Sequence, residues 1–194
     1  MLENLKNKTV ILASQSARRQ ELLKMIDVQF KVEYIPDLNE DYPKELDITE
    51  IPLFIAKQKQ EAYKHLWSVE KNIVITADTI VSLKNKIIGK PTDKNEARKI
   101  LKQLSDKTHL VVSGVSIKSN NKTSEFYSTT FVSFKPLSKK IIDYYVENFN
   151  TLDKAGAYGI QDWIGFTSIN YIIGSYYNVM GLPIDKVFDN LKNF

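Results

Sequence analysis

Several charged side chains interrupt the apolar pattern of this 194-residue chain where neither a core nor a plain surface accounts for them. They are the adjacent Arg18 and Arg19, Lys59 on the apolar stripe of a helix, Asp78 in a strand, and Lys90 in a tight turn. Cations gathered around a carboxylate suit phosphate chemistry, because the cations hold charged oxygens while the acid holds a divalent ion or orients water. The residues alone therefore predict a phosphate-ester or nucleotide site. The sequence contains no Walker A, GxGxxG or HExxH motif.

Arg18 and Arg19 follow a short apolar run, Val10–Leu12, and begin an amphipathic helix. Such a junction exposes backbone N–H groups and the positive end of the helix dipole, which together favour an anion. Ser14 or Ser16 is suited to cap the helix. Two arginines here oppose the dipole, and a bound phosphate would remove the conflict because guanidinium groups match its oxygens. A capped helix with two solvated arginines explains the pattern equally well.

Lys59 lies on the inward stripe of a helix predicted over Thr49–Leu66. A lysine in that position either extends to the edge of the core or reaches a phosphate, and the helix pattern slightly favours the first reading. The preceding segment, Pro36–Lys44, is acidic and contains two prolines, which is typical of a solvated loop. Its carboxylates, Glu40 among them, are nevertheless suitable oxygen ligands for a hard cation.

Asp78 stands in a strongly apolar strand, Ile73–Thr79, that continues to Leu83. An aspartate that caps a turn is the plain alternative, but the continuing strand needs no turn at this point. A carboxylate that binds metal or activates water is therefore favoured. Residues 84–86 predict the tip of a hairpin, and a returning strand brings Lys90, in its Gly-Lys-Pro turn, to the level of Asp78.

The rest of the chain alternates predicted helices and strands, which indicates an α/β protein. His109 has no accompanying ligand pattern and is interpreted as structural. Segment Asp153–Gln161 is either a plain loop or a place where backbone approaches a ligand, and the amide of Gln161 is able to read a base edge. The remaining predicted elements are a helix over Asp93–Leu104, strands over Leu110–Ile117 and Phe126–Phe134, a helix from Ser138, a hairpin over Tyr171–Leu182 and a helix after Pro183.

The composition excludes several classes of protein. Hydrophobic residues make up 43% and charged residues 26%, as in ordinary globular domains, and the absence of Cys excludes disulfides and thiolate metal sites. The net charge of +4 is modest and no basic block is interleaved with aromatic residues, so a nucleic-acid partner is not favoured. No apolar run has the length of a membrane span, and no signal peptide is evident. We therefore expect one domain over residues 1–194, located in the cytoplasm, with no membrane or nucleic-acid partner.

Six short motifs occur in a fixed order between Ile11 and Pro183: ASQSARR, AKQK, ITADTIV, IIGKP, DKAGAYGIQ and NVMGLP. Together they resemble the successive signatures of the Maf family, nucleoside triphosphate pyrophosphatases once described as septum-formation inhibitors. The resemblance covers nearly the whole chain, and six collinear motifs are far more specific than any one of them. It implies an elongated mixed α/β sheet flanked by helices, like that of inosine triphosphate pyrophosphatases, with two lobes around a central cleft. It also implies a homodimer.

The resemblance further implies hydrolysis of a nucleoside triphosphate to the monophosphate and pyrophosphate with a divalent cation, Mg²⁺, Mn²⁺ or Co²⁺. Asp78 matches the family's proton acceptor or metal-holding acid, and Glu40 matches an acidic position near the metal. The family positions around the phosphates match Ser14, Arg18, Arg19, Lys59 and Lys90; Ser16 of the same loop joins them as a substrate-binding residue, and Lys59 and Lys90 are also assigned to catalysis. Ala17, Thr79 and Gln161 match positions linked to base choice, and the GIQ signature is similar to the branch that acts on dTTP and UTP.

Two departures from the family pattern bear on these expectations. Ala17 stands where the family commonly has proline, which would loosen the loop before the arginines. Asp162 stands where the family usually has glycine, and it is followed by the unusual run Trp163–Phe166, which puts substrate preference in question. Three alternatives therefore accompany the dTTP/UTP hypothesis: modified pyrimidine nucleotides, another modified base such as that of 7-methyl-GTP, and a non-catalytic nucleotide-binding regulator of cell division.

Overall fold

A computed structural model describes residues 2–194, and within this range it contains seven strands and eight α-helices. The strands are β1 (Thr9–Leu12), β2 (Phe30–Val32), β3 (Asn72–Leu83), β4 (Lys86–Ile88), β5 (Thr108–Lys118), β6 (Thr123–Phe134) and β7 (Ile169–Ile173). The helices are α1 (Ala17–Met25), α2 (Ile51–Ala62), α3 (Lys64–Trp67), α4 (Lys94–Leu104), α5 (Lys139–Asn148), α6 (Trp163–Ser168), α7 (Tyr176–Met180) and α8 (Ile184–Leu191).

The strands form one open mixed sheet in the order β2-β1-β3-β5-β6-β7, with β4 paired to β3. Strand β1 runs parallel to β2 and to β3, where Leu12 lies opposite Ile75. Strands β4 and β7 run antiparallel to β3 and β6 respectively. The predicted α/β class, with a mixed sheet flanked by helices, is confirmed.

The chain divides into two compact units. The first contains the chain up to Asp78 together with Ser113–Ser128 and Gly181–Phe194, and the second contains Thr79–Val112 and Thr129–Met180. The expectation of one domain over residues 1–194 stays a prediction, as do the homodimer and the cytoplasmic location. Among residues 2–194, no helix combines the length and the apolar character that crossing a bilayer requires.

Helix α2 packs directly against β5 in the first unit. A Cβ atom added to Gly114 would lie 2.1 Å from the backbone nitrogen of Leu53, so no larger residue fits at this contact. The helix predicted as one element over Thr49–Leu66 is interrupted at Tyr63, which ends α2 and precedes the short α3. The buried ring of Tyr63 joins a core cluster with Ile11 and Val74, and this packing takes precedence over helical continuity.

Two other predictions concern turns of the second unit. The hairpin after β3 is confirmed, because Leu83 pairs with Lys86, and Lys84 and Asn85 between them both have the positive φ angles of a type I′ turn. The predicted hairpin over Tyr171–Leu182 is wrong. Strand β7 pairs with β6 instead, and the aromatic run that follows forms the short helix α7. There the buried Asn178 amide donates to the Val111 carbonyl and the Thr130 hydroxyl, and these long-range bonds favour the helix over the strand that local propensity predicts.

Candidate functional site

The centre of the candidate site is the ammonium group of Lys59, which lies between two carboxylates. Its Nζ is 2.8 Å from Asp78 Oδ1 and 2.7 Å from Glu40 Oε1. The Lys59 and Asp78 side chains are only 14% and 13% exposed, whereas Glu40 is 58% exposed. Because exposed ion pairs contribute little, the Lys59–Asp78 pair dominates the local electrostatics, and Glu40 is the more easily displaced partner.

The orientation of Lys59 follows from how α2 is attached to β3. The buried Thr76 hydroxyl, two residues before Asp78 and on the same face of the strand, lies 2.8 Å from the Ala56 carbonyl oxygen. The same hydroxyl lies 2.9 Å from the side-chain oxygen of Gln60, a residue only 1% exposed. These contacts hold the turn of α2 that carries Lys59 next to Asp78. Sequence reasoning missed Thr76 and Gln60, although a polar residue in an apolar strand was a usable signal.

The loop that carries Glu40 is fixed at its start by Tyr63. The Tyr63 hydroxyl accepts a hydrogen bond of 2.9 Å from the Ile35 backbone nitrogen, and Leu38 packs against the same core cluster. Burial raises the pKa of Tyr63 above its ordinary value, so the hydroxyl stays protonated. The segment expected to be a solvated loop therefore begins on an anchored stretch that helps to bring Glu40 to Lys59.

Arg19 connects three backbone segments of the first unit. Its Nε donates to the Gly181 carbonyl and its Nη1 to the Ala77 carbonyl, both at 2.8 Å, while Ser14 Oγ lies 3.4 Å from Nη1. Burial lowers the pKa of Arg19, the negative charges of Asp78 and Glu40 oppose this shift, and Arg18 adds to it. Arg19 thus supports the part of β3 that carries Asp78, a role that the sequence did not indicate. Its contact with phosphate stays a prediction.

The loop before α1 is ordered by its serines. Ser16 caps the helix by accepting from the Arg19 backbone nitrogen at 3.5 Å, and Ser14 Oγ accepts from the Ser16 nitrogen at 3.2 Å. Ala17 is exposed and occupies the first helical position, where proline is also favoured, so its presence leaves the helix start intact. Arg18 is half-buried in the same turn. Of the two capping alternatives, the structure selects Ser16.

Three further predicted site residues belong to the second unit. Thr79 follows Asp78 in β3, and the β3–β4 register, extended beyond Val81 and Ile88, would place Lys90 opposite Thr79. The exposed Lys90 lies in a turn that is held by a 3.2 Å bond from the Gly156 nitrogen to the Gly89 carbonyl. The DKAGAYGIQ segment is therefore attached to the lysine-bearing turn and is no free loop.

Gln161, the third of these residues, is half-buried. Its Oε1 is shielded from solvent and has no hydrogen-bond partner among residues 2–194. A buried amide oxygen without a partner is costly to a folded protein. Contact of this amide with a nucleobase stays a prediction.

Asp162, the departure from the family pattern, is directed into its own segment. Its Oδ2 accepts a 2.7 Å hydrogen bond from the Tyr145 hydroxyl and lies 3.8 Å from Lys154 Nζ. His109, interpreted from the sequence as structural, is 2% exposed, and its Nε2 lies 2.7 Å from the Tyr158 hydroxyl. Both contacts stabilise residues of the DKAGAYGIQ segment or of the turn that follows it.

The first unit thus contains two groups of predicted site residues. Lys59 contacts Glu40 and Asp78, while Arg19 contacts Ser14, Ser16 and the carbonyl of Ala77, the residue before Asp78. A carboxylate next to an ammonium and a guanidinium is suited to activate water beside a polyanion. The two carboxylates present hard oxygens for a divalent cation. Such an arrangement fits hydrolysis of a phosphoanhydride.

Comparison with known proteins supports this interpretation. The family model described as "Maf-like protein" matches residues 9–194. The chain belongs to this Maf family. It is 46% identical over 195 residues to a dTTP/UTP pyrophosphatase of Porphyromonas gingivalis, with 100% of this chain and 98% of that protein covered. It is 45% identical to a dTTP/UTP pyrophosphatase of Parabacteroides distasonis over the full length of both proteins.

Among solved structures, the Staphylococcus aureus Ham1 protein matches 66% of this chain and 72% of its own, with 20% identity and a TM-score of 0.43. The resemblance to the Maf family inferred from six motifs is confirmed by the family model. The expected enzyme class, a nucleoside triphosphate pyrophosphatase, agrees with the names of the relatives. The roles assigned to individual site residues stay predictions.

Proposed function

We propose that this Maf protein hydrolyses dTTP and UTP to the nucleoside monophosphate and pyrophosphate with the help of a divalent cation. Two full-length relatives bear the name of this activity. The observation that carries the proposal is the Lys59 ammonium held between Asp78 and Glu40, close to the Arg19 charge. Carboxylates and cations concentrated around one position of β3 are suited to hydrolysis of a polyphosphate.

In the proposed reaction, water attacks the α-phosphorus and a new P–O bond forms. The anhydride bond between the α- and β-phosphates breaks, and its electron pair leaves with pyrophosphate. Asp78 takes the proton of the attacking water, and the Lys59 ammonium beside it stabilises the negative charge that develops on phosphate oxygens. Arg19 donates to the Ala77 carbonyl and so keeps the neighbouring Asp78 in place.

The donor set is compatible with a hard divalent cation. Asp78 and Glu40 offer carboxylate oxygens that contact the same ammonium group, and Mg²⁺ is commonly bound by one or two carboxylates together with substrate phosphates. No cluster of three acidic, histidine or cysteine ligands occurs among residues 2–194, so phosphate oxygens and water would complete the coordination. When bound, the cation would neutralise charge on the phosphates.

Base preference is proposed to depend on Gln161. Uracil and thymine carry an N3–H donor, whereas the N3 of cytosine is an acceptor. The amide oxygen of Gln161 has no hydrogen-bond partner among the described residues 2–194, and once the side chain rotates toward the ligand it suits the N3–H donor. Modified pyrimidines that retain N3–H and fit the space are substrates by the same argument.

The test is pyrophosphate release from dTTP, UTP, CTP and 7-methyl-GTP, with Mg²⁺, Mn²⁺ and Co²⁺ supplied in turn. We expect turnover of dTTP and UTP, and we expect Asp78→Asn to reduce it by a factor on the order of 10² to 10⁴, the usual contribution of a positioned acid or base. Asp47→Asn, an exposed acid of the same unit, is the matched control and should keep wild-type rates. Nucleotide binding without pyrophosphate release would instead favour the non-catalytic regulator.

A further inference from the structure

The carboxylate of Asp162 occupies space that a side chain at position 159 would fill. A Cβ atom added to Gly159 would lie 2.5 Å from Asp162 Oδ2, so glycine and aspartate fit this turn as a pair. The Asp162 backbone nitrogen also donates to the Gly159 carbonyl at 3.1 Å. Gln161 lies between these two residues. The backbone of Gln161 therefore lies within a turn that is closed by the hydrogen bond from the Asp162 nitrogen to the Gly159 carbonyl and by the Asp162 carboxylate lying against Gly159.

Tyr145 connects this turn to helix α5. Its hydroxyl donates to Asp162 Oδ2 at 2.7 Å and accepts from the Gly159 nitrogen at 3.0 Å, so it contacts both ends of the turn. The Tyr145 ring is fully buried and stacks on Phe149 with the ring centroids 5.1 Å apart. Burial raises the pKa of Tyr145, and the hydrogen bond to Asp162 adds to this shift, so the hydroxyl remains a donor at neutral pH.

Lys154 provides the positive charge. Its side chain is 8% exposed, contacts Asp153 at 2.7 Å, donates to the Asn150 carbonyl, and lies 3.8 Å from Asp162 Oδ2. After the turn, Gly165 approaches Ile160 so closely that an added Cβ would lie 1.8 Å from the Ile160 carbonyl oxygen. The residues on both sides of Gln161 are thus held by contacts that other side chains would disturb.

We propose that Tyr145, Asp162 and Lys154 form a positioning network that fixes the turn carrying Gln161 and thereby sets nucleobase discrimination in this protein. The inference rests on the proposed function, in which Gln161 reads the base. None of the three residues contacts phosphate in this proposal. Their effect is transmitted through the backbone of residues 159–162, and it explains why an acid at position 162 is compatible with a base-reading amide at position 161.

A purely structural helix cap is the competing explanation, since Asp162 precedes α6 and its carbonyl accepts from the Gly165 nitrogen. The two explanations differ in what they predict for kinetics. A cap affects the amount of folded protein and alters all substrates equally. A positioning network alters the ratio of kcat/KM between UTP and CTP, mainly through KM, because orientation of the base is separate from the chemical step.

The experiment compares kcat and KM for UTP and CTP in the wild type, Tyr145→Phe, Asp162→Asn and Asp162→Glu. Tyr144→Phe is the matched control, because it removes the hydroxyl of the exposed neighbouring tyrosine on the same helix. We expect Tyr145→Phe and Asp162→Asn to lower the UTP preference by about tenfold, the factor that one lost charge-assisted hydrogen bond produces. Tyr144→Phe should leave it unchanged, and Asp162→Glu should restore part of it.

A double-mutant cycle with Gln161→Ala tests whether the network changes the UTP preference through Gln161. If the network acts through Gln161, Tyr145→Phe changes the UTP preference far less in the Gln161→Ala background than in the wild type. Equal changes in both backgrounds, or an unchanged preference in folded Tyr145→Phe and Asp162→Asn, would overturn the positioning role. Failure of the proposed function looks different, because then the wild type itself would show no pyrophosphate release or no preference for UTP.

Discussion

The buried imidazole of His109 should make the stability of the protein depend on pH, and its environment gives the magnitude of this effect. Burial lowers its pKa from 6.5 to about 4, and the imidazole lies against Tyr158 and stacks on Phe134. Nδ1 has no hydrogen-bond partner among residues 2–194, so a proton added there would be poorly accommodated. The folded state therefore contains neutral histidine, and protonation favours unfolding.

The direction of the effect follows from the two pKa values. Because the folded pKa is lower, the unfolded chain binds the proton more readily, and stability is complete above about pH 6.5 and falls as the pH drops toward 4. Protonation linked to His109 lowers the free energy of unfolding by at most about 3 kcal/mol, and about 2 kcal/mol of this should be lost between about pH 7.5 and about pH 5. A change of this size is large compared with the total stability of a domain.

The assay is urea unfolding near both pH values for the wild type, His109→Gln and His65→Gln. Carboxylates also respond to acid, so the relevant quantity is the difference in pH dependence between the wild type and each variant. His109→Gln should lose the component of about 2 kcal/mol, whereas His65→Gln should keep it, because His65 is exposed and is the only other histidine. The same pH dependence in the wild type and in His109→Gln would refute the argument.

Three further substitutions test the first unit. Lys59→Met should reduce pyrophosphate release by roughly 100-fold, because Asp78 and Glu40 would face each other without the ammonium between them, and urea unfolding should confirm a folded variant. Thr76→Val should lower the free energy of unfolding by about 1–3 kcal/mol by removing the bond to the Ala56 carbonyl, with Thr76→Ser as the control that retains it. Gly114→Ala should cost about 1–3 kcal/mol in the same assay because α2 would be pushed from the sheet, and an unchanged midpoint would contradict the close contact.

Sequence reasoning was most successful where a charge interrupted a regular apolar pattern. Lys59 and Asp78 were selected for that reason, and the structure brings them within 2.8 Å of each other. Glu40 is one of several carboxylates of its loop that suit a hard cation, and only the family resemblance distinguishes it from the others, because nothing in the loop indicates where it folds. Its position depends on Tyr63 and Ile35, whose contact spans 28 residues of sequence. Local patterns thus identify charges out of place, and tertiary packing determines their partners.

For Arg19, as for Glu40, the local sequence does not determine the partner of the charged group. Its position in the first helical turn is equally compatible with a bound anion and with a solvated guanidinium, yet two of its donors are used by carbonyl groups 58 and 162 residues away. Those carbonyls remove part of the electrostatic conflict with the helix dipole that motivated the anion argument. No sequence pattern distinguishes an arginine that binds phosphate from one that binds backbone, because the guanidinium group is equally suited to both.

Asp162 is the residue for which the structure changes the interpretation most. In the sequence it was an acid in the position of a family glycine, beside the amide expected to read the base. In the structure its charge is engaged by Tyr145 and Lys154. The acid is therefore directed toward helix α5 and its own segment. The aspartate at position 162 therefore changes how firmly the turn of residues 159–162 is held. A more firmly held turn should sharpen discrimination among bases without altering phosphate chemistry.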